Sequence, residues 1–234
     1  MAIIAERHLT PKTSDAVSQL LALDGKTSMQ QVATWADRVA NLKVPRQPSH
    51  MMLLGAGDEP YNPARDCKKN RCVLSAIDAD IAVLTDPASS PDAKGLALKY
   101  LVHFVGDVHM PLHAARAGLG RRVLYKGKIV GIHFLWDNNV VNSQKGSVEA
   151  VASEVEALAT PFFADTPTPT NWAIESRDVT RDSILVGVLR DRAMDPQPVA
   201  DTYPADNWPI ARDRLNLAGR RLAVLLNAIF DGGA

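Results

Sequence analysis

The chain has 234 residues, 46% of them hydrophobic, and its 26 lysines and arginines balance 26 aspartates and glutamates. That length and apolar content permit a sizeable buried core and exclude global disorder. Zero net charge gives no support to tight, sequence-independent binding of duplex nucleic acid, which relies on a basic surplus, although a bound cation could still attract phosphate locally. No apolar run reaches the length of a membrane-spanning helix, so membrane insertion is not expected. No basic-then-apolar leader opens the sequence, so no signal peptide is expected in it. No Gly/Ser linker or charge block divides it, and residues 1–234 read as one domain.

The periodicities are mostly helical. Thr10 precedes Pro11 in "LTPKTSDAVSQLLAL", an N-cap followed by proline at the first helical position. Ser28 and Gln31 stand in capping-box spacing before Val32, Trp35, Ala36 and Val39, which recur on one face. Residues 46–67 are proline-rich and read as loop. The two cysteines, Cys67 and Cys72, suit a small disulfide-closed loop or two free thiols; a complete zinc site would need two further ligands. Ser90 and Pro91 open a helix that should run until Pro111 stops it. In "RRVLYKGKIVGI", two β-prone runs flank Lys126-Gly127 and predict a hairpin. Ser147 leads a helix with Val148, Val151, Val155 and Leu158 on one side. Residues 160–172 read as loop, and Asn171 to Leu189 as a weaker helix. From Pro209 onward a long closing helix turns Leu215, Ala218, Leu222, Leu225 and Ile229 inward. The expected architecture is all-α with one small β-hairpin.

Three of the six histidines fall within "HFVGDVHMPLH", residues 103–113. On a helix, His103 and Asp107 are four apart and share a face, and Gly106 beside them leaves room for a close approach. Pro111 ends the helix, so His113 can reach back from a turn. His133 and Asp137 repeat the spacing of four. Imidazole nitrogens and carboxylate oxygens in such a group suit zinc. Asp37, beside the apolar face of its helix, and His50, on a loop among apolar residues, are the further candidate ligands. A lone His or Asp near an apolar stripe is more often a hydrogen-bonded core residue. His8 keeps that reading. His109 also does, as a residue supporting the metal ligands from behind.

These motifs resemble the zinc-dependent single-strand nucleases called nuclease S-one and nuclease P-one, relatives of bacterial zinc phospholipase C. The likeness rests on "HFVGDVHMPLH" and "HFLWD", and extends to "AERHLTPK", "TWADRV", "YNPARDC" with Cys72 after it, "NWAIES" and "RLNLAGRRLAVLLN". The resemblance implies a mainly helical protein with three zinc ions at the bottom of a cleft. It implies hydrolysis of single-stranded DNA and RNA to 5′-phosphate products, and removal of 3′-phosphates from nucleotides. By position, Asp37, His50, His103 and Asp107 would hold the deep zinc, and His113, His133 and Asp137 a second. Cys67 and Cys72 would form a disulfide, and Asn138 and Asn139 would contact a base. The resemblance further implies an exported, monomeric enzyme that acts on nucleic acid and nucleotides without entering a membrane. No side-chain nucleophile is expected, because zinc lowers the pKa of bound water to about 7.

Three stretches depart from the family pattern. The family's mature chain opens with a Trp and a nearby His that bind the third zinc, whereas this sequence starts "MAIIAERHL", inside the family's first helix. A Gly-Gly-Asn stretch of the family is replaced by "RAGLGRRVLYKGK". An Asn-Leu before the second ligand pair is replaced by Gly131-Ile132. The sequence therefore supports two of three zinc sites, with activity expected to be impaired without the third. The rival readings are a zinc-stabilised scaffold of weak or no activity, and a zinc phospholipase.

Overall fold

The computed structural model describes residues 1–40, 48–55, 57–158, 168–186, 189, 191, 193 and 195–232. In chain order its helices and strands are α1 (Ala2–Arg7), α2 (Pro11–Ala22), α3 (Trp35–Ala40), α4 (Pro63–Asp66), α5 (Val73–Thr85), α6 (Pro91–His109), α7 (Pro111–Ala114), β1 (Arg122–Tyr125), β2 (Lys128–Gly131), α8 (Ile132–Phe134), α9 (Val148–Glu156), α10 (Pro169–Val179), β3 (Gln197–Pro198) and α11 (Tyr203–Asp231). The mainly helical class expected from the sequence is the observed one.

The helix starts read at Thr10, Ser90 and Ser147 are capped. The side chains of Thr10, Ser90 and Ser147 accept from the backbone N–H groups of Thr13, Ala93 and Ala150, which satisfies one free donor at each helix start. α6 stops at His109, two residues before Pro111. It is the central element. Leu98, Leu101, Val102, Phe104, Val105 and Val108 are all buried, so its lower half is covered nearly all round. Each such side chain contributes about 1.5–3 kcal/mol on burial. α5, α2 and the second half of α11 wrap this core. A second cluster gathers Ile4, Leu112, Val123, Ile132, Leu135, Trp136, Val155 and Trp208, under the hairpin and the start of α11.

The hairpin forms in the expected place, with Val123 opposite Val130 and Tyr125 opposite Lys128. Lys126 and Gly127 both take positive φ, 49° and 72°, as a two-residue turn matched to strand twist requires. A third strand, β3, pairs in parallel with β1. It is two residues long and includes a proline, so it carries no readable alternation.

Other expectations are revised. Ser28 does not cap a helix. A single 3₁₀ turn, Met29–Gln31, comes first, the Gln31 side chain accepts from the Thr27 N–H, and α3 starts only at Trp35. Val148 is 60% exposed, because the first turn of α9 projects past the core that Ala152 and Val155 enter. The helix read from 171 to 189 ends at Val179 and passes into a π-helical turn to Ile184. The closing helix begins at Tyr203, and Pro209 lies inside it. Of the loop read over residues 160–172, only the part from 168 on lies among the described residues, where Thr168 caps α10.

Gly219 lets α1 and α11 touch. A Cβ there would lie 2.7 Å from the Ile4 Cβ and 2.9 Å from the Met1 carbonyl. Gly219→Ala should therefore destabilise the protein by about 1–3 kcal/mol despite the gain in helix propensity, measured as a lower midpoint in urea.

Candidate metal centre

Four separate stretches deliver the candidate residues to one cleft of about 950 Å³. α3 brings Asp37, a loop brings His50, α6 and α7 bring His103, Asp107 and His113, and the turn after β2 brings His133 and Asp137. The loop is set by backbone pairing. The Met52 N–H donates to the His113 carbonyl at 2.8 Å, Leu54 to Ala114 at 3.0 Å, and Arg116 to Leu54 at 3.0 Å. This short zipper lays His50 beside α7. α3 is seated by Trp35, edge-on to Tyr100 at 5.1 Å, and by the Ala33 carbonyl on the His103 ring.

Two groups result. Ligand atoms of Asp37, His50 and His103 lie within 4.8 Å of one another, and so do those of His113, His133 and Asp137. Asp107 stands between them. Its Oδ2 is 3.0 Å from His50 Nδ1 and 3.1 Å from His103 Nε2, while its Oδ1 is 3.3 Å from His113 Nδ1. Asp37 Oδ1 is 3.4 Å from His103 Nε2, and Asp137 Oδ2 is 3.0 Å from His133 Nε2. His133 lies in α8 and Asp137 in the π-helical turn that directly follows it, Leu135–Val140, a widened geometry frequent at functional sites.

The electrostatics are those of a tightly coupled cluster. Burial opposes protonation of His103, but Asp107 and Asp37 outweigh it and push its pKa up to about 10. Burial likewise opposes charge on His113, and Asp107 with Asp137 raises it to about 10. Asp107 resists its own burial and is held well below the usual carboxylate range by His113, His103 and His50. Asp137, also working against burial, falls to about 2 beside His113 and His133. The His103 Nδ1 lies 2.7 Å from the Ala33 carbonyl, which fixes Nδ1 as the donor and turns Nε2 into the cluster.

The remaining sequence candidates separate. Cys67 and Cys72 form a disulfide. Asn138 lines the cleft, while Asn139 is half-buried and not part of the lining. His8 is exposed and pairs with Glu156 at 2.8 Å. Gly106 does leave space, and the Met1 side chain uses it: a Cβ would lie 3.2 Å from Met1 Cε.

His109 lines the rear of the cleft but belongs to a buried network that sequence reasoning missed. Its Nδ1 donates to the Val105 carbonyl at 2.7 Å, and Arg221 donates to its Nε2 at 2.9 Å. Burial and the two arginines, Arg214 and Arg221, push its pKa well below the histidine range, so it is neutral. Arg214 donates to the His109 carbonyl at 3.1 Å and to Ser176 Oγ at 2.8 Å, and Ser176 donates to the Val108 carbonyl at 2.6 Å. These bonds satisfy carbonyls at the open end of α6. Glu175 pairs with both arginines, at 3.2 Å and 2.7 Å. The available signal was charge on an apolar stripe: Arg214 and Arg221 share a helix face with Ala218 and Leu222.

A helical protein with two imidazole–carboxylate groups at the floor of one cleft is the kind of scaffold that holds a cluster of divalent cations. The family profile described as S1/P1 Nuclease matches residues 1–231, and the chain belongs to that family. It is 30% identical over 258 residues to Endonuclease 2 of Arabidopsis thaliana, covering 97% of this chain and 87% of that protein. To Nuclease S1 of Aspergillus oryzae it is 29% identical over 255 residues, covering 98% and 88%. To Nuclease P1 of Penicillium citrinum it is 26% identical over 145 residues, covering 58% and 54%.

Two outcomes follow. His103 and His113 carry raised pKa values, so in chelator their stabilisation is fully present below about pH 6.5, the unfolded value, and is lost as pH climbs toward 10. The thermal midpoint in chelator should fall across that window. With saturating divalent metal, which needs these nitrogens deprotonated, the metal-induced rise in midpoint should grow over the same range. Arg214→Met should cost about 3 kcal/mol in chemical denaturation, since it strips the His109 and Trp172 carbonyls and Ser176 Oγ of a donor and removes one of two partners of half-buried Glu175.

Proposed function

We propose that the chain is a zinc-dependent phosphodiesterase that hydrolyses single-stranded DNA and RNA to 5′-phosphate products and removes 3′-phosphates from nucleotides. The observation that carries the reading is the convergence of seven imidazole and carboxylate side chains in one cleft, in a chain whose relatives are named as nucleases.

The residues fit the metal. Asp107 Oδ2 and His113 Nδ1 are buried close to ring nitrogens or carboxylate oxygens, yet neither is aligned for a hydrogen bond, and His50 Nε2 is buried without one. Such atoms are costly unless a cation shares them. Asp37, His50, His103 and Asp107 would hold one zinc, and His113, His133 and Asp137 a second. Bound there, zinc would supply Lewis acidity toward the phosphodiester and acidify water near neutral pH.

The chain's own residues hold and orient. Ala33 fixes the His103 tautomer, Asp107 joins the two groups, and Arg214 and Ser176 secure the end of α6 that carries Asp107. No side-chain nucleophile enters the reading. Asn138 and Asn139 would contact a base at the mouth. The chain acts as a single domain and a monomer in this reading. The Cys67–Cys72 disulfide supports an exported, oxidising location. Among the described residues no helix is long and apolar enough to cross a membrane.

With zinc, the full chain should cleave single-stranded DNA and RNA far faster than duplex, leave 5′-phosphates, and stop in chelator. Asp107→Asn should lower the rate by about 100-fold while the protein stays folded by circular dichroism. A zinc-loaded chain that leaves single strands and 3′-nucleotides intact would overturn the reading, whether it hydrolysed phospholipid instead or hydrolysed nothing.

A further inference from the structure

The loop that the Cys67–Cys72 disulfide closes carries positive charge that no ion pair uses. Lys68, Lys69 and Arg71 are exposed, and among the described residues no acidic side chain pairs with any of them. The acidic groups on this side, Asp66 and Glu59, act on Arg65 instead. Arg65 grips Asp66 through two nitrogens, at 2.7 Å and 2.8 Å, and donates to the Pro60 carbonyl at 2.9 Å. Lys69 and Asn70 hold φ values of 59° and 52°, a left-handed backbone that side chains of this size adopt where the surroundings enforce it. The disulfide ties the two ends of the loop, and Ser75 Oγ, 2.7 Å from the Asn70 carbonyl, ties its middle to α5. The three cations therefore stand on a braced loop.

Backbone contacts put this charge at the rim of the cleft. The Val73 N–H, one residue past the loop, donates to the Met51 carbonyl at 3.1 Å, and Met51 lines the cleft next to His50. Arg116, also exposed, reaches the same segment: its N–H donates to the Leu54 carbonyl at 3.0 Å and its Nη2 to the Leu53 carbonyl at 3.1 Å. Asp66, held below the usual carboxylate range first by Arg65, feels Arg116 as well, which places Arg116 on the side of the loop. None of the four cations lines the cleft itself. We propose that Lys68, Lys69, Arg71 and Arg116 form a track outside the cleft that anchors the phosphates of a single strand being cleaved over the candidate ligands; the proposal rests on the nuclease reading above. A local surplus of this kind lets a chain of zero net charge hold a polyanion. The contact is to phosphates, so it is blind to base sequence, and only strands long enough to leave the cleft reach it.

The test uses the zinc-loaded full chain, a long fluorescein-labelled oligothymidylate with phosphorothioate links, read by anisotropy, and a dithymidylate too short to leave the cleft. The variant combines Lys68→Ala, Lys69→Ala and Arg71→Ala. On the long strand it should lower the slope of log affinity against log salt by about 2, so that between about 50 and 200 mM salt the wild type loses about twentyfold more affinity than the variant does. With cleavable substrates the variant should raise KM for the long strand, keep kcat, and leave the dithymidylate within about twofold. Lys68→Arg with Lys69→Arg should keep the wild-type slope. An unchanged slope on the long strand overturns the proposal. So does equal loss on the long strand and the dithymidylate, which would mean that the loop acts only through the general field of the protein. The two readings fail separately. A wild-type chain that binds the long strand through the loop but cleaves nothing loses the nuclease reading alone. One that cleaves single strands and is indifferent to the loop variant loses the track alone.

Discussion

The structure depends on one buried carboxylate. Asp107 is only 8% exposed, yet three imidazoles from three parts of the fold point at its two oxygens. A charged carboxylate removed from water is tolerable only when cationic partners surround it. The surrounding elements are arranged to supply them. α6 provides His103 one turn earlier, the kink at Pro111 swings His113 back, and the strand-like pairing of residues 52–54 with 113–116 holds His50 in place. Protons can satisfy this cluster in the absence of metal, which is why His103 and His113 titrate so high. A divalent cation does the same with fewer particles.

The end of α6 would be a weak point without help. Asp107 sits in its last turn, where carbonyls lack helical partners, and the proline that redirects the chain removes a donor as well. The protein answers with Arg214 and Ser176, brought in by α11 and α10, which bond the His109 and Val108 carbonyls. Glu175 balances the two buried arginines, and neutral His109 fills the space between. This network does not reach into the cation cluster. It holds in place the backbone from which the cluster projects.

The cleft is thus a charged floor with partly apolar walls. Met51, Met110, Phe134, Trp136 and Val141 share it with the histidines and aspartates. Loaded with cations, such a floor would attract phosphate, while the walls offer apolar surface.

Much of this was written in local pattern. Helix starts at Thr10, Ser90 and Ser147, the stop before Pro111 and the turn at Lys126-Gly127 all depend on neighbours within a few residues, and a linear chain displays those directly. The spacing of four in His103/Asp107 and His133/Asp137 was legible for the same reason. Asp37 and His50 stood out only as polar residues among apolar ones, and resemblance rather than spacing assigned them to the cluster, because nothing local separates a ligand from an ordinary polar residue beside an apolar face. The strand at residues 197–198, the seating of residues 52–54 on α7 and the Arg214–Glu175–Arg221 network came from the tertiary structure alone. Each joins groups that lie tens of residues apart, and such contacts are decided by which surfaces the packed core brings together.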